Sequence, residues 1–325
     1  MIGIYLFNLS LDFKQVFENC KSWGIKWILT LPHIYNQNNF QNTAKKYGIK
    51  ICIIFSIYHD KEYLEKNPDD YAITSSGRKA IHDWLHFACQ TSTKYIEIKK
   101  KHLEELLKQS QPDMIAIDFI RFYVFWEEVY PDDLFEEIED GCYCTRCINQ
   151  FQHSYGIKIE NKNPQWIKKN YLEQWTNWKC SVIEEIVKIF TTIIRNHSHN
   201  LPIMIKTVPW KNDDYNGAIQ SIAGQNILKL KDYIDIISPM TYSHMIKRKP
   251  NYIHDITEEL NEMSSKKVIP CIQIEKTYLD DDISIQEFEE MLKYGVKKPS
   301  HGILLFHYQY LEKDEKKRNL VKNLV

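Results

Sequence analysis

The chain has 325 residues, 43% hydrophobic and 26% charged, an ordinary globular composition with ample material for a core. Its 42 basic and 43 acidic side chains leave a formal net charge of −1. That balance excludes the basic excess a nucleic-acid surface needs to neutralise phosphates, and no apolar run reaches the roughly 20 residues of a membrane span.

The chain opens MIGIYLFNLSLDFKQ, with neither a charged n-region nor a small-residue cleavage site. It reads as a first strand rather than a signal peptide, and the expectation is a cytoplasmic protein. From there, strand-like apolar runs alternate with helical periodicity along the whole chain, the pattern of a parallel sheet with crossover helices. The first run is 2–7, followed by an amphipathic stretch over about 11–23 that Gly24 closes. Further runs cover 25–31 and 49–58, the latter almost entirely β-branched or aromatic, as a strand buried on both faces should be. An irregular excursion over 59–92 precedes a predicted helix over 93–109 and a fourth run at 114–121. A second excursion, 122–163, leads into a long predicted helix over 164–197 carrying Trp166, Trp175 and Trp178. Runs at 203–208, 234–240, 268–275 and 302–308 complete a set of eight. The pattern predicts an α/β (β/α)8 TIM barrel forming a single domain over 1–325, with long excursions after strands 3 and 4. An open doubly wound sheet would need a Gly-rich phosphate turn after an early strand, and the ten glycines supply none.

Barrels of this kind build their sites at the C-terminal strand ends, which sorts the chemistry-bearing residues. The fourth strand ends in Asp118 with Arg121 three residues on, and the fifth leads through Lys206 and Trp210 to Asp213 and Asp214. The sixth leads to Tyr242 and His244, the seventh carries Gln273 and Glu275 on one face, and the eighth ends in His307 and Tyr308. Cleaving a glycosidic bond calls for two carboxyl groups flanking it. One protonates the departing oxygen while the other attacks the anomeric carbon or activates water. Asp118 is the expected essential carboxylate, with Glu275, Asp213 or Asp214 as the second. Arg121, Lys206, Trp210, Tyr242, His244, Gln273, His307 and Tyr308 are the expected substrate-binding groups, Trp and Tyr faces being what sugar rings stack on. Each has a plainer reading: Asp118 could brace its strand by pairing with Arg121, and Asp213 or Asp214 could cap the next helix. A catalytically inactive carbohydrate-binding barrel would keep the same rim. A metal-dependent hydrolase or lyase would instead gather His59, Asp118, His244 and His307 around an ion.

Eight cysteines in a long chain without a signal peptide point to a metal site in a reducing compartment rather than to disulfides. Cys142, Cys144 and Cys147 are spaced to share one ion, and a tetrahedral structural zinc wants a fourth ligand, for which Cys89 and His153 are candidates. Cys89 is the better placed, because both excursions rise from adjacent strands. Cys20, Cys52, Cys180 and Cys271 fall inside predicted helices or strands, where free Cys behaves as a small hydrophobe.

The run from Phe87 through Cys89 to Tyr95, taken with Cys142, Cys144, Cys147 and Phe151, resembles the zinc-binding cysteines of family 42 β-galactosidases. That resemblance implies a structural zinc on Cys89, Cys142, Cys144 and Cys147. The chain departs from the family at the fourth strand, where Ile117-Asp118 replaces the Asn-Glu pair of those enzymes. Asp118-Phe-Ile-Arg121-Phe, Ser238-Pro-Met-Thr-Tyr242, Val208-Pro-Trp210 and Ile269-Pro-Cys-Ile-Gln273 are similar to the strand ends of a group of uncharacterised glycoside-hydrolase-like barrels. The similarity implies a carbohydrate substrate, with Asp118 attacking or stabilising the anomeric centre.

Overall fold

The computed structural model describes residues 1–160 and 163–324; two positions of the second excursion, 161 and 162, lie outside the described residues. Eight strand positions follow one another as expected, each parallel to its neighbours. They are β1 (Ile2–Leu6), β2 (Trp27–Thr30), β3 (Lys50–Ser56), β4 (Met114–Asp118), β5 (Ile203–Thr207), β6 (Ile236–Pro239), β7 and β8 (Ile303–Phe306). The seventh is split into Lys267–Val268, paired with β6, and Cys271–Gln273, paired with β8. The first expectation for this segment was one unbroken run; Pro270 interrupts it because proline cannot donate to a ladder. The split pieces stand at opposite ends of the sheet order, only Ile269 and Pro270 apart in the chain, so the sheet curls round on itself. Contacts across the interior agree. The Tyr5 hydroxyl on β1 lies 3.3 Å from Cys271 Sγ on β7, and Lys206 Nζ on β5 lies 5.2 Å from the Tyr5 ring centre.

Helices follow the strands, among them α1 (Phe13–Ser22), α2 (Phe40–Tyr47) and α3 (Thr93–Gln109). Asp12 caps α1 and Ser92 caps α3, each side chain accepting a first-turn N–H that would otherwise lack a partner. The second excursion, expected to be irregular, contains α4 (Thr145–Tyr155), which begins at the cysteine cluster with Cys144 as its N-cap. The long helix α5 (Pro164–His197) runs as expected, with a non-helical turn at Tyr171. Trp175 and Trp178 on its buried face pack on Phe151 of α4 at ring separations of 4.9 and 5.9 Å. These tryptophans are core, holding the excursion against the barrel.

An isolated bridge, Thr74 with Gly141, joins the two excursions, and another, Val124 with Asp140, closes the second on itself. Below them Asp140 is fully buried and accepts from Lys179 at 2.9 Å and Lys168 at 2.8 Å. Burial alone would push its carboxyl up, but the two ammonium groups outweigh that and hold it below the usual range. No described helix is long and apolar enough to cross a membrane.

Candidate active site and cysteine cluster

At the C-terminal ends of the strands lies a cavity of about 370 Å³. Its walls are mostly apolar and aromatic: Tyr5 and Phe7 from β1 and its loop, Ile54 from β3, Trp126 from the second excursion, Tyr242 after β6 and Phe306 at the end of β8. Two carboxyl groups enter it, Asp118 and Glu127.

Asp118 is the last residue of β4, and the strand stops there because Phe119 turns to a positive φ of 53°. That left-handed conformation is costly for an aromatic residue and places the Phe119 N–H on Asp118 Oδ1 at 2.7 Å. Burial pushes the Asp118 carboxyl up, while Lys206, the Phe119 N–H and Arg121 pull the other way. Glu127 sits on a short 3-10 turn, Trp126–Glu128, buried among aromatics. Burial pushes its carboxyl up to about 7, with Arg121 opposing and Asp118 adding to the rise. Its Oε2 and the Nε1 of neighbouring Trp126 are both buried with no partner in the protein. Glu127 was not among the carboxylates expected from sequence. Its trace there is a pair of acids inside the aromatic run Phe122-Tyr-Val-Phe-Trp-Glu-Glu-Val-Tyr130, of which Glu127 is buried and Glu128 exposed.

Of the other expected site residues, Tyr242 lines the cavity, its ring 5.1 Å from Phe306 and 6.0 Å from Trp126. Lys206 lies beneath it in the barrel interior, donating to Ser238 Oγ at 2.9 Å. Arg121 is buried alongside: it donates to the Val124 carbonyl at 2.9 Å and its guanidinium lies 4.9 Å from the Phe87 ring centre. His307 follows β8 with its ring 3.9 Å from Tyr310 and 6.2 Å from Phe7, and burial pushes its pKa down.

The remaining candidates have other partners. Asp213 is exposed and pairs with Lys211 at 3.7 Å. Asp214 accepts from Arg248 at 2.9 Å and from the Tyr252 hydroxyl, bracing the loop after β5. Trp210 is buried against Tyr215 at 5.5 Å. Gln273 accepts from the Met245 N–H and donates to the Glu275 carbonyl, and Glu275 does not line the cavity. Tyr308 opens the helix Tyr308–Lys313, so its side chain turns outward to stack on Trp23 and to accept from Asn19. His244 spends both ring nitrogens on Glu287 (3.0 Å) and the Asp281 carbonyl (2.9 Å). His59 lines the cavity, but His244 and His307 do not join it and Asp118 in a metal-ligating group.

Among the described residues the group that could hold a metal is Cys89, Cys142, Cys144 and Cys147, whose sulfurs all lie within 4.8 Å of one another. Cys89 Sγ is 3.4 Å from Cys144 Sγ and 3.6 Å from Cys147 Sγ. Thiolates about 2.3 Å from a tetrahedral ion stand about 3.8 Å apart, so the donor set fits a closed four-sulfur site. Cys89 would supply the fourth ligand, held in place where its N–H donates to the Asp70 carbonyl at 2.8 Å. The Ile73 N–H donates to Cys142 Sγ at 3.3 Å, an outer contact of the kind that orients a ligand.

No protein-family model and no curated protein sequence matches the chain. Solved structures do. A polyextremophilic β-galactosidase from the Antarctic haloarchaeon Halorubrum lacusprofundi superposes with a TM-score of 0.73 at 10% identity, covering 99% of this chain and 57% of that one. The PgaB (BpsB) glycoside hydrolase domain from Bordetella bronchiseptica gives 0.72 at 10% identity, over 98% of this chain and 97% of that one. Gan42B, a GH42 β-galactosidase from G. stearothermophilus, gives 0.68 at 12% identity, over 100% and 55%. The chain thus spans somewhat over half the length of the β-galactosidases and nearly all of the PgaB domain. At such identities the likeness is one of fold, and the fold this chain shares is that of glycoside hydrolases.

Proposed function

We propose that the chain is a glycosidase, a one-domain (β/α)8 barrel that cleaves a glycosidic bond in a carbohydrate with Glu127 as general acid and Asp118 as the second carboxylate. The observation that carries this reading is the pair itself: two carboxyl groups in one largely apolar cavity at the strand ends, in surroundings that treat them differently. Glu127, raised to about 7 by burial, holds its proton near neutral pH and can deliver it to a departing oxygen. Burial raises the Asp118 carboxyl as well, but Lys206, the Phe119 N–H and Arg121 oppose that rise, and a carboxylate there would suit attack on, or stabilisation of, an anomeric centre. Tyr242, Trp126 and Phe306 offer ring faces to a sugar. We assign a structural zinc to the four cysteines, which would staple the two excursions into the wall carrying Glu127.

Leaving-group dependence tests the roles. Glu127→Gln should cleave glycosides whose leaving group needs no protonation, such as aryl or fluoride, while losing about 10²–10⁴-fold on oligosaccharides. Asp118→Asn should lose both. Cleavage of oligosaccharides by Glu127→Gln at the parental rate would remove Glu127 from the chemistry.

A further inference from the structure

Below the cavity floor, Lys206 Nζ lies 2.6 Å from Cys271 Sγ. Hydrogen bonds from N–H to oxygen span about 2.7–3.2 Å, and sulfur is the larger atom, so a contact to it should be longer. The observed separation is that of two atoms joined through one shared light atom. Both side chains are buried in the barrel interior. Ser238 Oγ touches both, 2.9 Å from Nζ and 3.4 Å from Sγ, and the Tyr5 hydroxyl lies 3.3 Å from Sγ. Tyr5 also lines the cavity above, so one residue touches both the cavity and Cys271. The other cysteines outside the four-cysteine cluster, Cys20, Cys52 and Cys180, have no lysine in hydrogen-bond contact.

We propose that Lys206 and Cys271 are a redox modification site, forming a reversible covalent bridge through a single oxygen, Nζ–O–Sγ. With hydrogen peroxide as oxidant the atoms balance. One peroxide converts the thiol to a sulfenic acid and a second converts the amine to a hydroxylamine, each releasing a water. The hydroxylamine oxygen then attacks the sulfenic sulfur. An O–S bond forms, the S–OH bond breaks, and the third water leaves. Reduction by two dithiol molecules returns four hydrogens and restores amine, thiol and one water. The functional consequence rests on the glycosidase reading. The lysine releases its proton to water before the amine is oxidised, so the bridge leaves a neutral group at position 206 and removes a cation that favours the ionised form of Asp118.

The test is a non-reducing peptide map of the full chain before and after peroxide. The expected product joins the peptides of Lys206 and Cys271 at about 14 Da above their sum, one oxygen gained and two hydrogens lost. It should revert with dithiothreitol and be absent from Cys271→Ser and Lys206→Met. Recovery of Cys271 as free thiol, or as sulfinic or sulfonic acid beside an unmodified Lys206, overturns the bridge. In the same samples, glycan cleavage by the parent should fall with the bridged fraction and return on reduction, while Cys271→Ser keeps its own untreated rate. A chain that cleaves no glycan refutes the glycosidase reading, and the peptide map still decides the bridge.

Discussion

Glu127 is the residue at which function and stability pull apart. A carboxyl raised in the folded state favours the fold below its unfolded pKa, and that contribution is lost as pH rises through about 7. From the ordinary 4.5 to about 7, the ionised form costs about 3 kcal/mol in the fold. Glu127→Gln should therefore raise the melting temperature at pH 8 and leave it nearly unchanged at pH 4, while turnover falls; thermal melts at the two pH values check this. The same group predicts an alkaline limb near pH 7 in the parent's kcat/KM on oligosaccharides that is absent from its cleavage of activated glycosides, which pH profiles on the two substrate types check. Asp118 is legible in the sequence because a strand-end acid in a barrel has only one place to be. Glu127 is not, since it stands nine residues beyond that strand end, and the chain path that folds it back over the mouth depends on contacts far away in sequence. Trp210 and Tyr308 look like rim residues in a one-dimensional reading. The loop after β5 buries the first, and an early helix start turns the second outward.

At the scale of elements, the excursions after β3 and β4 have little regular structure to order them, and two devices do that work. One is the cysteine cluster, whose four thiols come from both segments and would staple them on binding the proposed zinc. Its four members are legible from spacing and resemblance because cysteines set so closely in a chain are rare. The purified chain should carry one zinc by metal analysis, and Cys144→Ser should lose it, with a fall in Tm of about 5 °C or more. The other device, Asp140 with Lys168 and Lys179, has no sequence signature, because its partners lie 28 and 39 residues away on α5. Asp140→Asn should destabilise the chain by about 3–5 kcal/mol, since it leaves two buried ammonium groups short of their counter-charge; denaturant melts measure the loss. Strand boundaries are legible to within two or three residues, and the misses fall where a single residue decides. Pro270 splits the seventh strand and Phe119 ends the fourth.

For the whole molecule, alternating apolar runs and helical stretches are enough to announce the architecture, because each parallel pairing requires a crossover. Neither the closing of the sheet through the Ile269–Pro270 break nor the polar interior of Lys206, Ser238, Tyr5 and Cys271 can be read that way. Those four side chains meet only once the sheet has curled, and they set the charge beneath Asp118. The reaction proposed for this cavity is cleavage of a glycosidic bond by Asp118 and Glu127. Its most direct test is release of reducing ends from a panel of oligosaccharides and aryl glycosides by the parent chain, Asp118→Asn and Glu127→Gln side by side. The parent is expected to cleave at least one glycan, Asp118→Asn none, and Glu127→Gln only the activated glycosides. A parent chain inert on the whole panel, or variants as active as the parent, would contradict the proposed reaction.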